Sequence, residues 1–138
     1  MVDKINRTEV QMRYGDLDAL GHVNNANFLT YMELGRTNYF KEILHDFKTS
    51  KVNFVVNHAE IDFRMPILFH HSPIVSTWIS HVGKTSCVFS HVITEKGTDI
   101  VFAQGKTVVV WIDMHGKKMD IDAEMKDLLL SLMVEEKP

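Results

Sequence analysis

Near residue 52 the spacing of apolar residues changes from the period of a helix to the period of a strand, and it stays strand-like for some sixty residues. That switch argues for a fold in which a helix and a run of strands pack together. In NFLTYMELGRTNYFKEIL, residues 27–44, Phe28, Met32, Tyr39 and Ile43 recur near helical spacing and are joined by Leu29, Leu34, Phe40 and Leu44. Together they make an apolar surface too broad for cover from one side only. Asn24 or Asn25 can cap the start of this helix, because an Asn side chain accepts from first-turn amides. Gly35 lies in its middle, at a cost of roughly 1 kcal/mol relative to alanine. Either a strand or neighbouring backbone comes close there, or the glycine is merely tolerated.

In VNFVVNHAEIDFRM, residues 52–65, the apolar set Val52, Phe54, Val56 gives way to Ala59, Ile61, Phe63, Met65. A phase slip of one residue predicts a β-bulge near Val56 and Asn57. Residues 74–82, 85–94 and 100–112 read as three further strands, separated by the short turn signals GK and KGTD, which predicts consecutive antiparallel pairing. Upstream, residues 7–13 read as a first strand. Downstream, residues 120–133 read as a second helix with Ile121, Met125, Leu128, Leu129 and Leu132 on one face and Asp120 or Asp122 as N-cap. The expected architecture is therefore α+β, with a long central helix and a bent five-stranded antiparallel sheet burying each other, plus a C-terminal helix. With 138 residues, residues 1–138 form one domain. The sheet edges need protection from uncontrolled pairing, which edge-to-edge dimerisation provides.

Several function classes are disfavoured. A formal charge of -3 and the lack of basic runs interleaved with aromatics argue against a nucleic-acid partner. The N-terminal residues have no apolar signal core, and no run approaches the ~18 apolar residues of a membrane span. The single cysteine, Cys87, excludes an internal disulfide framework and points to a reducing compartment, with the cytoplasm as expected address. Inside an alternating strand, Cys87 reads as a small buried hydrophobe. None of the eight histidines sits at a recognised metal-ligand spacing. A metal could be held through Asp16, Asp18 and His22, but none is expected.

The candidate chemistry lies in YGDLDALGHVNN, residues 14–25. A carboxylate, Asp18, and an imidazole, His22, lie four apart in a loop just before the N-terminus of the long helix. A carboxylate can attack or activate water, a histidine can orient or share protons, and first-turn amides can stabilise an oxyanion. That combination suits acyl transfer. The same residues also suit a plain loop, with Asp16 and Asp18 in Asx turns and His22 as a structural partner.

Residues 12–40, MRYGDLDALGHVNNANFLTYMELGRTNYF, resemble the signature of the hotdog-fold thioesterases of the 4-hydroxybenzoyl-CoA thioesterase-like superfamily, a group that includes bacterial acyl-CoA thioesterases. Residues 59–97 fit the strand run of the same family. The resemblance implies a helix wrapped by a five-stranded antiparallel sheet and hydrolysis of an acyl-CoA thioester, with no cofactor beyond the coenzyme A of the substrate. The family's catalytic acid falls on Asp18, as nucleophile or general base, and Asp16 becomes loop-shaping. The helix N-terminal amide that polarises the thioester carbonyl falls at about Asn25. The stretch also resembles the D-x-N-x-H segment of plant acyl-ACP thioesterases, with Asp18 and His22 matching and Leu20 replacing the asparagine, so His22 is an accessory without its usual companion. The D-x-N-P-x-H pattern of hotdog hydratases is not met.

For the phosphates of coenzyme A the candidates are Lys84, Thr85 and Ser86, in the GKTS turn, with Arg64 behind them. Phe28, Tyr31 and Met32 are candidates for the acyl pocket or for core packing alone. Glu33 and Arg36, three apart on the helix, read either as a surface ion pair or as residues in or near the site. The expected assembly is a homodimer or homotetramer. An acyl-ACP thioesterase and a non-catalytic acyl-thioester binding module are the alternatives.

Overall fold

The computed structural model describes residues 2–46 and 53–135. Strand β1 (Ile5–Glu9) leads through a 3-10 turn at Tyr14–Asp16 to helix α1 (Asn25–Asp46), followed by strands β2 (Phe54–Phe63), β3 (Pro73–Val82), β4 (Ser86–Glu95) and β5 (Val101–Trp111) and helix α2 (Ala123–Leu132). All five strands form one antiparallel sheet in the order β1-β3-β4-β5-β2. The expected helix, strands and layout are present. Val52, the first residue assigned to β2 from the pattern, lies outside the described residues.

The expectation of consecutive pairing holds for β3, β4 and β5, which are joined by short turns. Strand β2, to which that expectation assigned no neighbour, pairs with β5. Strand β1 both starts and ends earlier than the expected 7–13, at Ile5–Glu9, and its inward-facing residues are polar. Asn6 and Thr8 are both buried; Asn6 Nδ2 donates to Glu42 Oε1 of α1 at 2.9 Å, and Asn38 Nδ2 donates to Thr8 Oγ1 at 3.3 Å. Val10 and Met12 pack against the core as irregular chain. The bulge expected in β2 is present, since Val56 pairs with Val109 and His58 with Val108, leaving Asn57 as the extra residue. Two further register shifts, at Ile79/His81 and Ile93/Thr94, bend the sheet without any signal in the apolar pattern. At α2, Asp122 occupies the N-cap position but makes no side-chain cap bond, and Asp120 pairs with Lys84 at 3.9 Å.

The core has two apolar parts. One gathers Tyr39, Phe40 and Ile43 of α1 with Ile79, Phe89, Val109 and the apolar face of α2. The other gathers Phe28, Tyr31 and Met32 with Val75, Ile93, Phe102 and Ala103. Between them runs a buried polar belt. His91 bridges Thr77 Oγ1 at 3.1 Å and Thr107 Oγ1 at 3.0 Å, and Arg36 Nη1 donates to Thr107 Oγ1 at 3.4 Å. Arg36 is thus buried in the belt and is not the surface ion-pair partner expected from its spacing to Glu33.

Gly35 allows this arrangement. A Cβ at that position would stand 2.5 Å from Thr77 Oγ1 and 2.8 Å from Val75 Cγ1, both on stiff, buried β-branched side chains. The close approach anticipated for Gly35 is real. Gly35→Ala must lift α1 from the sheet, and we expect a loss of about 2 kcal/mol of stability, measured by denaturant unfolding; an unchanged midpoint would contradict the packing. His91 generates a second expectation. Burial, reinforced by the Arg36 guanidinium, depresses its pKa to about 3, against ~6.5 in an unfolded chain. Below pH ~6.5 only the unfolded state takes up this proton, so the contribution is complete above that pH and falls away as pH drops toward 3. By pH 5 the loss is on the order of 2 kcal/mol. Unfolding free energy measured from pH 7 to pH 5 should fall less steeply in His91→Gln; an identical slope would argue against His91 as the source.

Candidate active site

The loop before α1 is folded by its own backbone. Leu17 and Val23 form a bridge, Asp18 N–H donates to His22 O at 2.7 Å, and Gly21 N–H donates to Asp18 O at 3.1 Å. Gly21 has φ +81, a conformation that glycine adopts without steric cost. The Asp18 carboxylate is locked inside this turn. Its Oδ1 accepts from Leu20 N–H at 2.9 Å and from His22 N–H at 3.1 Å. The structure thus brings Asp18 and His22 together through the main chain of His22. Leu20 likewise holds Asp18 by its amide, an interaction that survives the replacement of asparagine there, while its side chain is 80% exposed.

The turn 113–117 repeats this geometry. Asp113 Oδ1 accepts from His115 N–H at 2.8 Å and Lys117 N–H at 3.0 Å, and Gly116 has φ +79. Asp113 N–H donates to Lys117 O at 2.8 Å and Gly116 N–H to Asp113 O at 3.0 Å. The Asx-turn reading of the Asp18 loop is therefore correct as far as conformation goes. Any chemical distinction of Asp18 must come from what surrounds its turn.

That surrounding is the start of α1. Asn24 caps the helix, its Oδ1 accepting from Ala26 N–H at 3.0 Å, which decides between the two expected caps. Asn25 opens the helix, and its N–H is among the first-turn amides for which an α-helix has no internal acceptor. Asp16 ties loop to helix. It is 7% exposed; its Oδ2 accepts from Arg13 N–H at 3.2 Å and from Tyr31 O–H at 2.9 Å, and its carbonyl accepts from Asn24 N–H at 2.8 Å and Asn27 Nδ2 at 2.9 Å. Asp16 has the loop-shaping position expected of it. Tyr31, expected as a pocket residue, is buried with its hydroxyl committed to Asp16. Burial and that hydrogen bond raise its pKa, so it stays a donor.

A second loop, residues 64–72, lies against the first. His22 bridges to Leu68, and Val23 N–H donates to Ile67 O at 2.8 Å. Tyr14, 79% exposed, stacks on Phe69 with ring centroids 4.8 Å apart. His71 Nδ1 accepts from Leu68 N–H at 2.8 Å, and its ring packs against Phe102. Neither this aromatic pair nor His71 was legible as part of the site, because only the tertiary fold brings residues 64–72 beside residues 14–25. Arg64 opens the second loop, its N–H donating to Phe102 O at 2.8 Å, at the same end of the sheet as Asp18.

Lys84, Thr85 and Ser86 are not there. Lys84 O accepts from Ile121 N–H and Thr85 O from Trp111 N–H, which puts this turn beside α2 and the C-terminal half of α1. Within one chain much of the length of α1 lies between this turn and Asp18. Cys87 is buried, and burial pushes its thiol up to about 12, as suits a core residue. A cavity of about 670 Å³ lies on the outer face of the sheet around Trp78, Lys106, Glu60 and Asp62, on the side away from α1. A smaller one of about 310 Å³ adjoins the second loop at Met12, Phe69 and His71. Among the described residues no group of three or more His, Cys, Asp or Glu side chains could hold a metal ion.

Comparison with known proteins agrees with the fold. The model of the thioesterase-like superfamily matches residues 12–129. The long-chain acyl-CoA thioesterase FadM of Escherichia coli (strain K12) is 25% identical over 126 residues, 89% of this chain and 96% of its own. YneP of Bacillus subtilis (strain 168) is 28% identical over 90 residues, and the aligned part covers 63% of this chain and 65% of that protein, just under two thirds. A thioesterase from Thermus thermophilus, solved in complex with coenzyme A and zinc, superposes with a TM-score of 0.79 at 35% identity, covering 92% of this chain and 93% of that one. A Bacillus stearothermophilus protein at 24% identity shares the fold with a TM-score of 0.84, over 96% of this chain and 99% of its own. With its helix held in a five-stranded antiparallel sheet and its match extending from the Asp18 loop into α2, this chain belongs to the thioesterase-like superfamily and has the hotdog fold.

Proposed function

We propose that this protein is a thioester hydrolase that splits acyl-CoA into a free carboxylic acid and coenzyme A. The observation that carries the reading is the Asp18 carboxylate, hydrogen-bonded through Oδ1 within a turn tied directly to the start of α1. Membership of the superfamily and similarity to a long-chain acyl-CoA thioesterase support it. In the proposed reaction the thioester carbonyl lies over the first turn of α1, where the Asn25 N–H and the positive end of the helix dipole stabilise the oxyanion. With Oδ1 holding the turn, Oδ2 of Asp18 attacks the carbonyl carbon or takes a proton from the water that does. The tetrahedral intermediate collapses by expelling the thiolate, which is a good leaving group and needs little help from an acid; on the water route this releases the carboxylic acid directly, and on the nucleophile route it leaves an acyl-aspartyl anhydride that water then hydrolyses to the acid and free Asp18. His22 is an accessory through its amide. No cofactor takes part beyond the coenzyme A of the substrate.

We further propose a dimer formed along β2. This terminal strand of the sheet exposes Val55, Val56 and Phe63, and Leu29 of α1 is exposed as well, a patch that a second copy would cover. Arg64 then serves the phosphates of coenzyme A from the Asp18 end. Lys84, Thr85 and Ser86 can serve them only from a neighbouring subunit. Among the described residues no helix is long and apolar enough to cross a membrane, and the single buried thiol of Cys87 fits the reducing cytoplasm we propose as address.

The Asp113 turn favours one competing reading, in which the Asp18 turn is structural and the protein binds acyl thioesters without cleaving them. Asp18→Asn separates the two, since asparagine keeps an Asx turn but cannot act as nucleophile or base. We expect kcat in a thiol-release assay to fall by roughly a thousandfold, with unfolding midpoint unchanged and Asp113→Asn fully active. Near wild-type turnover by Asp18→Asn would reject the catalytic assignment, and a wild type inactive on acyl-CoA and acyl-ACP alike would favour the binding module. For the dimer, Val55→Lys with Val56→Lys should convert the native species to a monomer by light scattering; retention of the wild-type mass would exclude the β2 interface.

A further inference from the structure

Asp18 reaches α1 along six residues of chain that include the permissive Gly21, so covalent connection alone does not fix its carboxylate against the first helical amide. A second tie does, and it passes through the interior. Tyr31, 4% exposed, stands six positions beyond Asn25, fewer than two helical turns into α1, and its O–H donates to Asp16 Oδ2 at 2.9 Å. Asp16 is two residues from Asp18. Its carbonyl accepts both Asn24 N–H at 2.8 Å, at the helix cap, and Asn27 Nδ2 at 2.9 Å, in the first turn. The loop is thereby pinned on both sides of Asp18, at Asp16 and at Asn24, to the same helix whose end is to receive the oxyanion.

We propose that Tyr31 is a positioning residue for Asp18, acting through Asp16 to fix the carboxylate relative to the N-terminus of α1. This rests on the proposed role of Asp18. It reassigns Tyr31 from contact with the acyl group to alignment of the reacting groups, where a misplacement of about 1 Å can cost ~100-fold in rate.

The same helix supplies a matched control. Tyr39, two turns further on, is equally buried, and its O–H donates to the carbonyls of Asp3 at 2.8 Å and Lys4 at 2.9 Å. Those carbonyls belong to the approach to β1, away from the Asp18 loop. Tyr31→Phe and Tyr39→Phe each delete one buried hydroxyl from α1 and keep the ring.

The test measures kcat, KM for a fixed acyl-CoA and thermal midpoint for both variants, and repeats Tyr31→Phe in the Asp18→Asn background. We expect Tyr31→Phe to lose roughly 10- to 100-fold in kcat with KM within about threefold, whereas Tyr39→Phe loses a comparable number of degrees in midpoint and keeps its kcat. In the Asp18→Asn background, Tyr31→Phe should cause no further loss of turnover. Wild-type kcat for Tyr31→Phe, an equal fold-loss in both backgrounds, or losses in both tyrosine variants that track their midpoints would overturn the proposal. If Asp18→Asn itself keeps its turnover, the catalytic assignment falls first; if it is inactive while Tyr31→Phe is unaffected, only the positioning role falls.

Discussion

The close approach of α1 to β3 at Gly35 is the contact on which the rest depends. Because a side chain there would collide with Thr77 and Val75, the helix can settle deep enough for Arg36 to reach Thr107 and for the belt through His91 to close. A buried polar belt tolerates little displacement, since each donor or acceptor left unpaired in a low-dielectric interior costs about 1–3 kcal/mol. Depth and register of the helix are thus set together. Once its middle is fixed, so is its beginning, and the N-terminal amides of α1 are held at one end of the sheet, between residues 14–24 and residues 64–72.

Much of this was legible in the sequence wherever a residue's local role and its tertiary role coincide. The phase slip at Asn57 marks a real bulge because a single buried face forces the apolar residues of β2 to return to it. Gly35 could be singled out because a glycine inside a helix is conspicuous by its cost. The limits of β1 were not legible, because its inward residues Asn6 and Thr8 satisfy one another and α1 rather than an apolar core. The position of β2 beside β5 was not legible either, since alternation tells which face a strand buries and not which neighbour it takes. Arg36 misled for a related reason. Three residues from Glu33, it looks like half of a surface pair, and only the neighbouring strands reveal that it is covered.

The candidate site shows the same division. Asp18 and the start of α1 were legible because they are adjacent in the chain. The second loop with Tyr14 stacked on Phe69, and the commitment of Tyr31 to Asp16, depend on contacts between segments far apart in sequence. Lys84 was assigned to the nucleotide by charge and turn chemistry alone, and nothing in a linear sequence conveys that α1 separates it from Asp18. The near-identical turn at Asp113 makes the point from the other side: local conformation is shared by the two turns, whereas connection to a helix end belongs to one of them.

The belt of Thr77, His91, Thr107 and Arg36 also divides labour within the core. The apolar group around Phe28, Met32, Ile67 and Phe102 supports the Asp18 end, while the group around Tyr39, Phe89 and Trp111, closed by α2, lies beyond the belt, away from Asp18 and the start of α1. Side chains in separate clusters make largely independent contributions to stability. The half beside Asp18 is therefore open to remodelling for a different acyl group, with the α2 half serving as the anchor that keeps the domain folded meanwhile.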